Sequence, residues 1–395
     1  MNIMNNQLTY KTLEDSHEVK RLGEILGQCF TGFQEEKWET YQNIIGLDNF
    51  RILCQDKQII GGLGIYFMGQ YFGGKSIPTG GIAAVGIAPE YRGQKAATIL
   101  MSELLKELYQ KNITLSTLYP ATQILYRGVG YDQAGVHCQW KIPLLNLTVN
   151  DRILSVEKIE NPTPDDFKEL YQKKAQQQNG NLDRCWGIWQ MILDSQDGEI
   201  YAYWIGEKDN RQGYLIYQQV IIDGNVCLKI KDWVALNASA IQRLWTLIAD
   251  HRSQVSQCQW KGSFYDQKML LLPEQIGGIV SHDIWFMRII NVIKALEMRP
   301  YPSHIETELD FAIDDPLLSD NCSNFRLQVS GGKGTAKQGG NSNISMNIRG
   351  LASLYTGFLT AKQLNLCGKL EASNLSLEII DQLFALPTPS LPDFF

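Results

Sequence analysis

The sequence has no Cys-x-x-Cys pair. Its eight cysteines (29, 54, 138, 185, 227, 258, 322, 367) and five histidines (17, 137, 251, 282, 304) are dispersed along the chain. Such spacing offers no zinc-ligand set, so no metal is expected, and free thiols imply a reducing compartment. No apolar run approaches the roughly 20 residues that cross a bilayer. The start, Met-Asn-Ile-Met-Asn-Asn-Gln, lacks the basic-then-apolar order of a secretory signal. The reading is a cytoplasmic protein with no membrane span. An excess of positive charge is missing too: 36 Lys+Arg against 42 Asp+Glu leave −6 at pH 7. That balance argues against general nucleic-acid binding and mildly favours cationic small molecules. Two glycine-rich stretches lack nucleotide-site spacing. Gly61, Gly62 and Gly64 miss the dinucleotide fingerprint and precede no helix, so they read as tight sheet packing. Ser330 to Thr335 lacks the Gly-x4-Gly-Lys-Ser/Thr order of a phosphate loop and reads as a hairpin turn.

What is present is a globular composition, 44% hydrophobic and 20% charged over 395 residues, enough for two or three domains. The chain is organised around Gly80 to Tyr131. Ile82, Val85 and Ile87 lead as a strand into a Pro-Glu-Tyr-Arg-Gly turn, and Ile99, Leu100, Leu104, Leu105 and Leu108 then recur at helical spacing. Backbone N–H groups at a helix start have no intrahelical partner, so this turn suits a phosphate, with Arg92 and Lys95 adding charge. By itself the same pattern also describes an ordinary strand-to-helix connection.

Elsewhere, Leu8 to Tyr10 is strand-like, and Asp15 with Glu18 opens a helix whose stripe is Leu22, Ile25, Leu26 and Cys29. Phe50–Cys54 and Gln58–Tyr66 read as a hairpin, Gln70 to Pro78 as a turn-rich lead-in, and Val136–Pro143 as the strand closing the first domain. A helix cap at Thr163, strands at 200–205, 213–217 and 227–234, a helix at 239–249 and a strand at 255–260 repeat that element order. No Arg-Gly-Gln loop stands between Val234 and Ser239, so this half is not expected to hold a phosphate in the same way. Cys-Gln-Trp-Lys occurs at 138 and at 258, in non-equivalent elements, and is read as coincidence. Past Asn291, short strands (325–329, 334–337, 344–348) alternate with Gly/Asn/Ser turns.

The run Val-x-Ile-x-Pro-x-x-Arg-Gly-Gln-x-x-Ala from Val85, the strand Ile113–Tyr119, and Leu125 to Tyr131 resemble in order and spacing the acetyl-CoA loop and following elements of the GNAT acyltransferases. One departure is Lys95, where those loops carry glycine. The segments Ile284–Val292 and Ala295–Tyr301, the sterol-carrier-like stretch Leu351 to Leu370, and the final Phe395 extend the likeness. The whole chain resembles the Eis (enhanced intracellular survival) acetyltransferases. That resemblance implies an α/β (α+β) chain of tandem GNAT folds, active over 1–150 and degenerate over 151–290, with a sterol-carrier-protein-like domain over 291–395. It implies acetyl-CoA as acetyl donor, primary amines of aminoglycoside-like, polyamine or lysine-type molecules as acceptors, and a hexamer.

Carried over by position, Val85 and Ile87 offer backbone groups to the pantetheine arm, Arg92, Gly93, Gln94, Lys95, Ala96 and Ala97 hold the pyrophosphate, and Ala121 lies near the cofactor. Tyr126 matches the general acid that protonates the leaving thiolate; a tyrosine merely packed in its turn is the competing reading. Phe395 matches the terminal residue whose α-carboxylate reaches the site. The apolar tail Leu391–Phe395 independently suggests docking, since chain ends are usually polar and frayed. A carboxylate of pKa ~3.5 is a feeble base for an ammonium, so it serves as base only if burial raises it, and otherwise binds the ammonium while water takes the proton. Phe30, Phe33 and Trp38 are acceptor-pocket candidates, Trp38 foremost because its neighbours are polar. Phe394 and Gly32 stand where carboxylates would favour cationic acceptors, which predicts a less anionic pocket. Two other classes remain: a tandem-GNAT aminoacyl transferase, which would lack the sterol-carrier-like end, and a non-catalytic lipid or acyl-CoA binding protein.

Overall fold

A computed structural model describes residues 8–33, 35–196 and 198–395; the start read above for a signal, residues 1–7, lies outside them. The first half runs β1 (Leu8–Thr12), α1 (Ser16–Cys29), α2 (Glu35–Ile45), β2 (Phe50–Gln55), β3 (Gln58–Phe72) and β4 (Lys75–Ile87). It continues with α3 (Ala96–Gln110), β5 (Leu115–Leu118), α4 (Gln123–Gly128) and β6 (Asp132–Pro143). Asp15 caps α1 by accepting from the Glu18 amide at 2.9 Å, while the Glu18 carboxylate takes the amide of Glu14 rather than of Asp15. Leu22, Ile25 and Leu26 are buried as their spacing required. The glycines of β3 do serve close packing: a Cβ on Gly62 would lie 2.6 Å from Leu22 Cδ1 of α1. Gln70 to Pro78, read as a turn-rich lead-in, is instead mostly strand, the paired ends of β3 and β4.

The second half repeats this order: β7 (Val156–Lys158), α5 (Lys168–Ala175), β8 (Leu182–Asp183), α6 (Trp186–Leu193), β9 (Ile200–Ile205) and β10 (Gly213–Ile222). There follow β11 (Asn225–Ala235), α7 (Ala238–Ala249), β12 (Gln257–Gly262) and β13 (Gly278–Ile289). The two halves share one sheet of order β1-β2-β3-β4-β5-β13-β6-β12-β11-β10-β9-β7. Their last strands are exchanged. β13 pairs with β5 and β6, and β6 pairs on its other side with β12. Val136–Pro143, expected to close the first domain, thus lies between two strands of the second half. The repeated Cys-Gln-Trp-Lys segments are direct neighbours in this seam, with Trp140 opposite Trp260 and their rings stacked at 5.8 Å.

The third part contains α8 (Val292–Met298), β14 (Thr307–Asp314), β15 (Ser323–Ser330), β16 (Lys333–Gln338) and β17 (Ile344–Asn347). α9 (Ile348–Tyr355), α10 (Ala361–Leu366), β18 (Leu370–Glu371) and α11 (Asn374–Phe384) complete it. Its sheet has the order β16-β15-β14-β17-β18, and Ser330–Lys333 is a hairpin turn. It is joined to the seam by a fully buried pair: Arg288 Nη2 on β13 lies 2.7 Å from each Asp315 oxygen, and Asp315 also accepts from the Leu317 and Leu318 amides. Arg299, also buried, donates to the carbonyls of Tyr355, Leu383 and Phe384 and so caps α9 and α11. Among the described residues no helix is long and apolar enough to cross a membrane, and no His/Cys/Asp/Glu group is placed to hold a metal ion.

Trp38 is not where its polar neighbours suggested. Its neighbours Lys37 and Glu39 are exposed, whereas the indole turns inward, 6% exposed, edge-on to Phe50 at 5.1 Å. Its Nε1 donates to the Val19 carbonyl at 3.1 Å. It is core, because helical periodicity outweighs local polarity in deciding which side faces in.

Two outcomes follow. A fragment ending at residue 150 lacks β13 and leaves β5 and β6 without their shared partner; calorimetry should show no cooperative unfolding transition for it. Trp38→Ala should lower stability by about 3–5 kcal/mol in denaturant titration, the range for buried Trp or Phe truncation.

Candidate active site

β4 and β5 pair in parallel only from Thr79–Leu115 to Gly81–Thr117. Beyond that point β4 continues along β3 to Ile87, while β5 ends at Leu118 and the chain turns away into α4. The two strands splay apart. Just past the split the β3–β4 register slips by one residue, and Ala84 takes a left-handed φ of 52°. A bulge leaves its extra residue out of the ladder, so backbone at Ala84 and Val85 is turned toward the opening. A cavity of about 860 Å³ fills the split.

The loop after β4 leads to the N-terminus of α3. Gly93 and Lys95 have φ of 76° and 63°, and Lys95 is the N-cap of α3. A lysine in left-handed backbone costs on the order of 1–2 kcal/mol relative to glycine, and its exposed side chain adds a cation beside the helix start. The Arg92 guanidinium folds back: Nε donates to the Ile87 carbonyl at 3.1 Å and Nη2 contacts Cys29 Sγ at 3.3 Å. Arg92 therefore braces the loop, and the Ile87 carbonyl is already taken. The helix start itself remains a cradle of amides suited to phosphate.

Tyr126 stands on α4 and lines the cavity at 5% exposure. Burial pushes its phenol up to about 12. From the other side comes the chain end. Ser390 bridges in parallel to Val136 of β6, and the Leu391 carbonyl accepts from Tyr119 Oη at 2.6 Å and from His137 Nδ1 at 2.9 Å. His137 is kept neutral, since burial lowers its pKa. The Phe395 ring, 8% exposed, sits edge-on to Tyr66 at 5.7 Å and Tyr119 at 6.2 Å. Gly81 makes room for it: a Cβ there would lie 2.8 Å from Phe395 Cε2.

Of the residues singled out in the sequence, Phe30, Phe33, Val85, Ala121, Tyr126 and Phe395 line this one cavity. Ile87 ends β4 and Arg92–Ala97 form the turn and first residues of α3 that follow, and Trp38 lies outside. Phe394 and Gly32 line the cavity as anticipated, but Asp194 and Asp283, contributed by the second half, supply carboxylates that the first half lacks; Lys37 and Lys231 line it as well. Tyr119, Asp194 and Asp283 were missed because nothing local to them marks a pocket. Only the strand exchange and the packing of α6 against α2 bring the last two there.

Residues 9–134 and 180–289 each match a GNAT acetyltransferase domain family, and residues 292–392 match the sterol carrier protein domain family. The chain is 44% identical to a GCN5-related N-acetyltransferase from Anabaena variabilis of known structure, with a TM-score of 0.95 over 98% of this chain and 100% of that one. The Eis1 structure from Mycobacterium abscessus shares the fold, with a TM-score of 0.82 at 19% identity over 98% and 100% of the two chains. The N-acetyltransferase Eis of Mycobacterium tuberculosis is 23% identical over 79% of each chain. The chain belongs to the GCN5-related N-acetyltransferases, in the Eis-type arrangement of two such domains followed by a sterol-carrier-protein domain.

Proposed function

We propose that this acetyltransferase transfers acetyl from acetyl-CoA to primary amines of aminoglycoside-like, polyamine or lysine-type acceptors, with Tyr126 as general acid and the Phe395 α-carboxylate as the group that receives the acceptor ammonium. The observation that carries this reading is the convergence of Tyr126 and Phe395 on one cavity beside the α3 N-terminus. Acetyl-CoA supplies the activated acetyl thioester. The amides of residues 92–97 hold its pyrophosphate, helped by the Lys95 charge, and the bulge at Ala84 and Val85 presents backbone to its pantetheine arm.

The amine attacks in a ternary complex. Tyr126, kept protonated by burial, donates its proton to the sulfur as the C–S bond breaks, and the proton that leaves the nitrogen as the amide forms restores the phenol through water. Asp194, Asp283 and the Phe395 carboxylate draw a cationic amine inward past the aromatic walls of Phe30, Phe33 and Phe394. The carboxylate holds the ammonium, and water carries its proton away before attack, because an ordinary α-carboxylate is too weak a base for that step. The alternative of a pure lipid or acyl-CoA binder has less support. Such a protein needs neither a buried phenol nor a docked chain end in the same cavity.

Tyr126→Phe should lower kcat about 100-fold while leaving the KM for acetyl-CoA within threefold, read by CoA-thiol release with a polyamine aminoglycoside. Because burial pushes the phenol up to about 12, the wild-type kcat/KM should rise with pH as the acceptor deprotonates and show no falling limb below about pH 11. A falling limb with a midpoint near 9 would contradict the assignment of Tyr126. Removing Phe395 should cut kcat at least 100-fold with cooperative unfolding retained; unaltered turnover would place the carboxylate outside the chemistry.

A further inference from the structure

After α11 the chain has almost no regular secondary structure, yet residues of the second half hold it along most of its course. Asn179 Nδ2 donates to the Pro387 carbonyl at 3.0 Å, the Ser390 amide donates to the Asn179 carbonyl at 2.8 Å, and Asn181 Nδ2 donates to the Ser390 carbonyl at 2.8 Å. Two residues before the end, Asp393 meets Arg184. Nε lies 3.1 and 3.0 Å from the two carboxylate oxygens, and Nη2 lies 2.8 Å from the first. Asp232 of β11 takes Nη1, and Tyr214 Oη donates to Asp232 in turn. The guanidinium lies 3.7 Å from the centre of the Tyr171 ring and 4.7 Å from that of Trp189. Burial would lower the arginine's pKa, but the flanking carboxylates hold it well above its usual value, so it stays charged.

A buried ion pair is a poor device for stability, since apolar residues of the same volume serve as well or better. What a forked guanidinium–carboxylate contact supplies is direction: it sets angle as well as distance. Residues alternate sides along an extended tail. Leu391, Asp393 and Phe395 are buried, whereas Phe394 is 49% exposed. Fixing Asp393 therefore fixes which way Phe395 faces and leaves its α-carboxylate little freedom.

We propose that Arg184 is a positioning residue: through Asp393 it aims the terminal carboxylate of Phe395 into the first half's cavity, and this is the work retained by the half that has no phosphate loop. The proposal rests on the role given to Phe395 above. Arg184 touches neither reactant; it acts by denying the chain end other conformations.

The test uses the full chain and two readouts. Carboxypeptidase A, with mass spectrometry of the released product, reports whether Phe395 is held; steady-state kinetics report whether the holding matters. In Asp393→Asn, Phe395 should be released at least tenfold faster than from the wild type, and kcat should fall at least tenfold. The KM for acetyl-CoA should stay within twofold and unfolding should stay cooperative. Asn181→Ala, a neutral change to the same tail, should shift both readouts in the same direction by a smaller factor, and it keeps the test decisive if Asp393→Asn fails to fold. Equal protection of Phe395 in whichever variant folds would overturn the proposal, as would faster release with unchanged kcat. If the wild type shows no acetyl transfer, the reading of the site falls, while the protease readout still decides whether Arg184 and Asp393 hold the tail.

Discussion

Strand β5 is four residues long and has β4 on one edge for only three residue pairs before the two diverge. Such a strand is held in a sheet only if its other edge is fully paired. That partner is β13, from the far end of the second half, and everything at the cavity depends on its insertion. By pairing with Leu115–Leu118 it holds the lower arm of the split open. Through Asp283 and Ile284 it lines the cavity, and through Arg288 and Asp315 it ties the third domain to the seam. Three segments distant in sequence are thereby committed to one geometry.

The consequence is a division of labour between two copies of one fold. In the first, the split β4–β5 pair, the bulge at Ala84 and the α3 N-terminus frame a cavity beside a helix start. In the second, the corresponding turn between β11 and α7 carries no basic glycine loop. Instead the segment from α5 to α6 brings Tyr171, Asn179, Asn181 and Arg184 to the tail. The third domain ends in α11, whose C-terminus is capped by Arg299, and that end releases the chain toward the cavity.

Much of this was legible in advance. The α3 stripe, the α1 cap, the hairpin at Ser330 and the closing apolar tail all rest on interactions between residues a few positions apart, which local pattern encodes directly. Trp38 was misread for the complementary reason: its neighbours in sequence are polar, but its neighbours in space are Phe33 and Phe50. Helix α2 itself went unrecognised, although Trp38, Tyr41, Ile44 and Ile45 recur at helical spacing along it. Asp194, Asp283 and Arg184 carry no local signal at all, since a lone charged residue is ordinarily solvated.

The sequence alone determined the type of several elements, α1, α3 and α7 among them, and the apolar character of the chain end, because these follow from periodicity, backbone sterics and the cost of exposing apolar surface. Tertiary structure alone decided that β6 and β13 change places, that carboxylates from one half line the cavity of the other, and that an arginine more than two hundred residues upstream holds Asp393. Strand pairing and buried charge are contests among many distant partners. The winner is set by which arrangement satisfies all backbone and charged groups at once, a condition on the whole chain that no stretch of it contains.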